Sequence, residues 1–166
     1  MIELSELLDP DRIVCQCDIR SKKRALQTLA ELLAPSVCEE QIDDDAEPSL
    51  SDMDIFDALI NRERLGSTAL GHGVALPHSR LDNVDAPIAA MITLESGVDY
   101  ESPDDQPVDM LIGLLVPQKC NDEHLKILAN LAKSFSEPQF RQQLRKFSTD
   151  QSEALYDYLQ KHAPAA

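Results

Sequence analysis

A handful of side chains in this sequence could do chemistry together, and the first is a histidine behind a proline. His78 follows Pro77 in the stretch GHGVALPHSR, residues 71–80, with His72 six positions earlier. A neutral imidazole, ordinary pKa about 6.5, keeps a ring nitrogen free to attack a carbon or phosphorus centre. Pro77 disfavours helical geometry at Leu76, so VALP should run extended and bring His78 to a strand end where a loop presents it. Gly71 and Gly73 allow positive φ or close backbone approach just upstream. The ordinary alternative is a hydrogen-bonded surface histidine with no chemistry, and this stretch alone does not exclude it.

Arg62 stands three residues after Leu59 and seven after Ile55, along the edge of an apolar helical face that leads into residues 66–78. A guanidinium there could pair with phosphate oxygens, which a charge-spread phosphoryl transition state requires. Arg64 would serve equally well as a cation complementing the helix dipole, and periodicity does not choose between the two. His124 falls in the first turn of another helical pattern, four residues before Leu128, beside amide groups that favour anions. A partly buried helix-start histidine without a role fits the same position.

The elements that must position these groups can be read from the pattern. Ser21 caps a helix with Ala25, Leu26, Leu29, Ala30, Leu32 and Leu33 inward, which Pro35 should stop. Residues 36–50, SVCEEQIDDDAEPSL, read as an exposed acidic loop. Ser51 and Asp54 resemble a capping box that opens a second helix, with Gly66 just past its end. RIVCQC, GVAL, APIAAMITLE and PVDMLIGLLVP are short apolar runs with strand character, and the last should be a central strand covered on both faces. Three helices follow: one capped by Asn121 or Asp122 with Leu125, Leu128, Leu131, Ala132 and Phe135 on one face, one opened by Pro138, one by Ser152. The expectation is an α/β single-domain sandwich, a mixed central β-sheet with helices on both faces.

Composition removes whole classes of function. With 166 residues, one domain over 1–166 with its core at about 5–160 is the natural division. A net charge of −15 repels phosphate backbones and anionic headgroups, which argues against nucleic acid and membrane surfaces as partners. No apolar run approaches the roughly 20 residues of a membrane span, and MIELSELLDPDR lacks the start of a signal peptide, so a cytoplasmic protein is expected. Cys15, Cys17, Cys38 and Cys120 match neither a redox pair nor a zinc framework and read as reduced structural thiols.

Three blocks together carry a resemblance: NRERLGSTALGHGVALPHSRLDNV, GVDYESPDDQPVDMLIGLLVPQ and DEHLKILANLAKSFSEPQFRQQLR. Over roughly residues 20–160 the chain resembles the fructose/mannitol-type IIA components of the bacterial phosphoenolpyruvate-dependent phosphotransferase system (PTS), and among them the nitrogen-regulatory group. The resemblance implies that His78 accepts a phosphoryl group, through Nε2, from a small phosphocarrier protein of the HPr/NPr type. It also implies that His124 is the second histidine, stabilising or orienting the phosphoryl group, and that Arg62 rather than Arg64 supplies charge stabilisation. No cofactor and no metal is implied, and the partners would be the phosphocarrier and regulated target proteins, with weak homo-oligomerisation left open. His72 and Ser79 stand where the family commonly has Asn and Gly.

Three other readings compete. A sugar-specific IIA would donate phosphate to a IIB partner in carbohydrate uptake. A metal-dependent hydrolase would use His72, His78 and His124 together, although the spacing of the first two is no standard ligand pattern. A pure binding module would leave His78 unphosphorylated. The end of the chain soon after residue 160, without a fused transporter or IIB segment, favours the nitrogen-regulatory expectation.

Overall fold

A computed structural model describes residues 3–38, 51–119 and 122–162. The elements run α1 (Leu4–Leu7), a 3-10 turn (Pro10–Arg12), β1 (Ile13–Cys17), α2 (Lys22–Cys38), α3 (Asp52–Arg64), β2 (Ala69–Gly71), β3 (Val74–Ala75), β4 (His78–Leu81), β5 (Ile88–Val98), β6 (Val108–Pro117), α4 (Asp122–Phe135), α5 (Pro138–Arg145) and α6 (Ser152–His162).

β6 owes its central place to its composition: from Met110 to Val116 every residue is buried, with helices over both faces. It pairs antiparallel with β5, β5 pairs parallel with β1, and β3 and β4 both pair parallel with the other edge of β6. β2 closes that edge antiparallel to β3, so the sheet is mixed. Side-chain alternation then builds two cores. Ile92, Leu111 and Leu115 face α2 and α3, where Leu26, Leu29, Ile55 and Leu59 are fully buried. Met91, Met110, Ile112, Leu114 and Val116 face α1, α4, α5 and α6, against Ile127, Leu131, Phe140, Leu155 and Leu159. Each such aliphatic side chain contributes about 1.5–3 kcal/mol by leaving water. α2 packs closely on Gly113, where a Cβ would lie 3.3 Å from both methyl carbons of Leu29.

β3 and β4 lie along β6 in one unbroken register, Val74 opposite Met110 and His78 opposite Leu114. Leu76 and Pro77 interrupt the ladder, Pro77 having no N–H to give, although its carbonyl still accepts from the Leu114 amide at 2.9 Å. His78 therefore begins a second strand segment that continues to Leu81, and does not end one as the sequence suggested.

Other expectations need correction. α2 runs through Pro35 to Cys38 instead of stopping, because the carbonyl freed by the missing N–H belongs to Glu31 on the exposed side of the helix, where water can satisfy it. Residues 36–38 are thus helical; the rest of the expected acidic loop lies outside the described residues, as do Cys120 and the proposed cap Asn121. On α4 the buried stripe is His124, Ile127, Leu131 and Phe135, and Leu125 is 61% exposed. The capping box of Ser51 and Asp54 forms in both directions, at 3.2 and 3.0 Å. Cys15 is buried and Cys17 half-buried, and burial pushes the Cys17 thiol up to about 11.

Candidate active site

His78 and His124 meet across two elements, with ring centroids 5.4 Å apart and planes tilted by 51°. β4 supplies the first and the opening turn of α4 the second. His124 leads the helix stripe that continues through Ile127 and Leu131, so the packing of α4 against the sheet is what drives its ring inward, to 5% exposure. Its Nδ1 is buried without a hydrogen-bond partner among the described residues. A buried nitrogen left unpaired costs about 1–3 kcal/mol, a cost that a bound oxygen acceptor or donor would relieve.

The ring of His78 is held differently. Its Nδ1 lies 2.7 Å from the Leu76 carbonyl oxygen, which can only accept, so Nδ1 carries the proton and Nε2 carries the lone pair. The extended path forced on Leu76 by Pro77 aims that carbonyl back at the imidazole.

The charges around the pair keep both rings neutral. Burial pushes His78 below its ordinary pKa, the Leu76 contact opposes this, and the positive charges of Arg62 and Arg80 lower it further. Burial, then His78, Arg80 and Arg62, bring His124 down to about 4.

Arg62 stands in the last turn of α3, half-buried, and its Nη1 donates to the Gly66 carbonyl at 3.0 Å. Arg64, the alternative, is exposed and donates to Asn61 Oδ1 at 3.2 Å; only Arg62 of the two bears on the histidines. His72 is not brought to the pair. It occupies the turn between β2 and β3 at φ 56°, side chain exposed, with its amide donating to Asp104 Oδ2 at 2.8 Å and its carbonyl accepting from Arg145 Nη2 at 2.7 Å. Histidine is among the non-glycine residues found more often in left-handed backbone, and His72 lies there between two glycines, Gly71 at φ 94° and Gly73 at φ 82°. Among the described residues no three His, Cys, Asp or Glu side chains gather to hold a metal ion.

Two residues of the site escaped the sequence reading. Glu63, next to Arg62, is 6% exposed and gathers four donors: Lys22 Nζ at 3.0 Å, Tyr100 Oη at 2.8 Å, the Thr68 amide at 3.2 Å and the Thr68 hydroxyl. Lys22 also lies 4.3 Å above the Tyr100 ring. This buried carboxylate ties the end of α3 to α2, to the start of β2 and to the loop after β5. Its signal was available, since an acid at position 63 continues the buried stripe Ile55, Phe56, Leu59. Arg80, two residues after His78 on β4, is the second.

The comparisons with known proteins converge on one family. The family described as "Phosphoenolpyruvate-dependent sugar phosphotransferase system, EIIA 2" matches residues 6–162. The chain belongs to this PTS EIIA family. It is 38% identical over 156 residues to the nitrogen regulatory protein of Pseudomonas aeruginosa, covering 94% of both chains. With the nitrogen regulatory protein of Escherichia coli it shares 32% over 160 residues, 95% of this chain and 90% of that one. The crystal structure of the nitrogen regulatory protein IIA-Ntr from Neisseria meningitidis superimposes with a TM-score of 0.81 at 35% identity, over 94% of this chain and 98% of that one. The IIA mannitol structure from Escherichia coli, at 19% identity and a TM-score of 0.66 over 90% and 98%, shares the fold. A PTS EIIA protein is a phosphotransfer component, and no helix among the described residues is long and apolar enough to cross a membrane.

Proposed function

We propose that this PTS EIIA protein is a phosphohistidine carrier of the nitrogen-regulatory type, working in the cytoplasm, that accepts its phosphoryl group on His78 Nε2. The observation that carries this reading is the 2.7 Å contact between His78 Nδ1 and the Leu76 carbonyl, which leaves Nε2 as the nucleophilic nitrogen beside His124.

The transfer balances simply. The Nε2 lone pair attacks phosphorus on the phosphohistidine of an HPr/NPr-type carrier; the new P–N bond forms as the donor's P–N bond breaks, and the donor imidazole leaves with that electron pair. Positive character then builds on the His78 ring, and the Leu76 carbonyl meets it at Nδ1–H. His124, neutral at cellular pH, donates an N–H to a phosphoryl oxygen, and Arg62 offsets the charge in flight. Positioning and fixed positive charge supply what this reaction demands.

Loading adds about −1.5 to −2 charges to a chain already at −15. A regulated target with a basic face would then bind the loaded form better, and one with an acidic face the empty form. The similarity to nitrogen regulatory proteins supports this regulatory use over sugar uptake through a IIB partner.

The test is incubation with phosphoenolpyruvate, the first PTS enzyme and its phosphocarrier, followed by peptide mass mapping under alkaline conditions. One acid-labile phosphate on His78 is expected. A phosphate that persists in His78→Ala refutes the assignment.

A further inference from the structure

We infer that Arg80 is a second catalytic arginine, which binds an oxygen of the phosphoryl group as it arrives at His78. This inference rests on the phosphohistidine reading above and names a group that reading did not need.

The face on which Arg80 lies follows from register. Leu81 packs on the α2/α3 core. Alternation along β4 then puts His78 and Arg80 together on the opposite face. The partners agree: His78 lies opposite Leu114 and Arg80 opposite Val116, and both β6 residues belong to the core under α4. α4 brings His124 to that same face, against His78. One face thus holds two neutral imidazoles and a guanidinium at the next outward-pointing position of the strand.

The chemistry of Arg80 is unspent. Its side chain is exposed, and no other described residue engages any of its five N–H donors in a hydrogen bond or ion pair. Arg62, by contrast, spends a donor on Gly66. Arg62 also comes from α3, a different element from the β4 and α4 that carry Arg80 and His124. The positive charge of Arg80 acts on both His78 and His124, as expected of a group near the space between them. A phosphoryl group in transfer spreads charge over three equatorial oxygens. Arg62, Arg80 and an N–H of His124 make three donors for them.

Arg80→Ala, Arg80→Lys and wild type are compared with two donors: the phosphocarrier, and phosphoramidate, a small donor that needs no protein docking. Arg80→Ala is expected to slow phosphorylation of His78 at least tenfold with both, at saturating carrier and with an unchanged melting temperature, while Arg80→Lys recovers most of the rate. An unchanged phosphoramidate rate with a raised KM for the carrier overturns the inference and makes Arg80 a docking residue. Equal rates for Arg80→Ala and wild type with both donors also overturn it, leaving the His78 reading intact. Wild type that carries no phosphate on His78 with either donor overturns that reading and the inference with it.

Discussion

His78 and His124 face each other 5.4 Å apart, yet they are held by opposite means. His78 is anchored through Nδ1 to a backbone carbonyl, whereas His124 is buried with its Nδ1 unpartnered among the described residues. One ring is fixed in tautomer, with its lone pair on Nε2; the other buries a ring nitrogen that no described residue pairs. The pair is therefore asymmetric before any phosphate arrives, which suits a nucleophile beside a stabilising group.

Substituting the two neighbouring arginines separates their roles. Arg62→Ala is expected to slow phosphorylation roughly a hundredfold, the cost of removing one preorganised donor from a transition state. Arg64→Ala, which removes an exposed contact to Asn61, should change the rate less than threefold, within the small effects of exposed charges. Single-turnover rates measured at saturating phosphocarrier decide this, and equal effects contradict the assignment of Arg62.

The depressed pKa of His124 makes stability depend on pH. In the unfolded chain this imidazole titrates near 6.5 and in the folded chain at about 4, so between those values only the unfolded state takes the proton. Stability is unaffected above pH 6.5 and falls as pH drops towards 4, by on the order of 3 kcal/mol from this group. Urea midpoints at pH 7.5 and 4.5 measure the loss, and it should shrink in His124→Gln. Ring-proton NMR should show His124 titrating near 4 and His78 below 6.5.

Removing the carboxylate at position 63 should loosen the whole approach to Arg62. Glu63→Ala strands Lys22, Tyr100 and both donors of Thr68, and is expected to cost roughly 3 kcal/mol, the range for breaking a buried charged cluster from one side. Glu63→Gln keeps the shape and should cost less. Denaturant unfolding of both variants is the measurement, and a loss below 1 kcal/mol in Glu63→Ala contradicts the clamp.

The turn before β3 leaves no room for a side chain at position 73. A Cβ there would come 2.5 Å from Arg145 Nη2 and 2.8 Å from Asp109 Oδ1, at φ 82°. Gly73→Ala should destabilise by roughly 1–3 kcal/mol. The ion pair of Arg145 and Asp109, 2.9 Å, would have to shift, and the thermal midpoint should drop accordingly.

Much of this was legible before any coordinates. The helical stripes of α2 and α3, the doubly buried β6 and the capping box at Ser51 follow from spacing and residue type, which are local properties. The path through Pro35 was not, because a proline's cost depends on whether water reaches the carbonyl it frees. The exposure of Leu125 was misread for a related reason: leucine and histidine both fit a helix face, and the sheet, absent from a local window, decides which turns inward. The meeting of His78 and His124 matches the expectation from the family resemblance; the choice of Arg62 over Arg64 came from that resemblance too, because spacing does not make it. Glu63 was overlooked because a charged residue is read as solvated until its partners across the fold are known, and Arg80 because its face is set by the pairing of β4 with β6, which a local window does not contain.

The shared register of β3 and β4 has an evolutionary corollary. Because His78 and Val74 keep one register on β6, the side on which the imidazole emerges is a matter of parity. Inserting or deleting one residue between Ala75 and His78 would turn the imidazole towards α2 and α3, away from His124. A two-residue change would preserve its side but shift it along β6. The few peptide units from Val74 to His78 are thus a segment whose length lineages can alter only in even steps if this histidine is to stay on the face of its partner, and not at all if the two rings are to stay in contact.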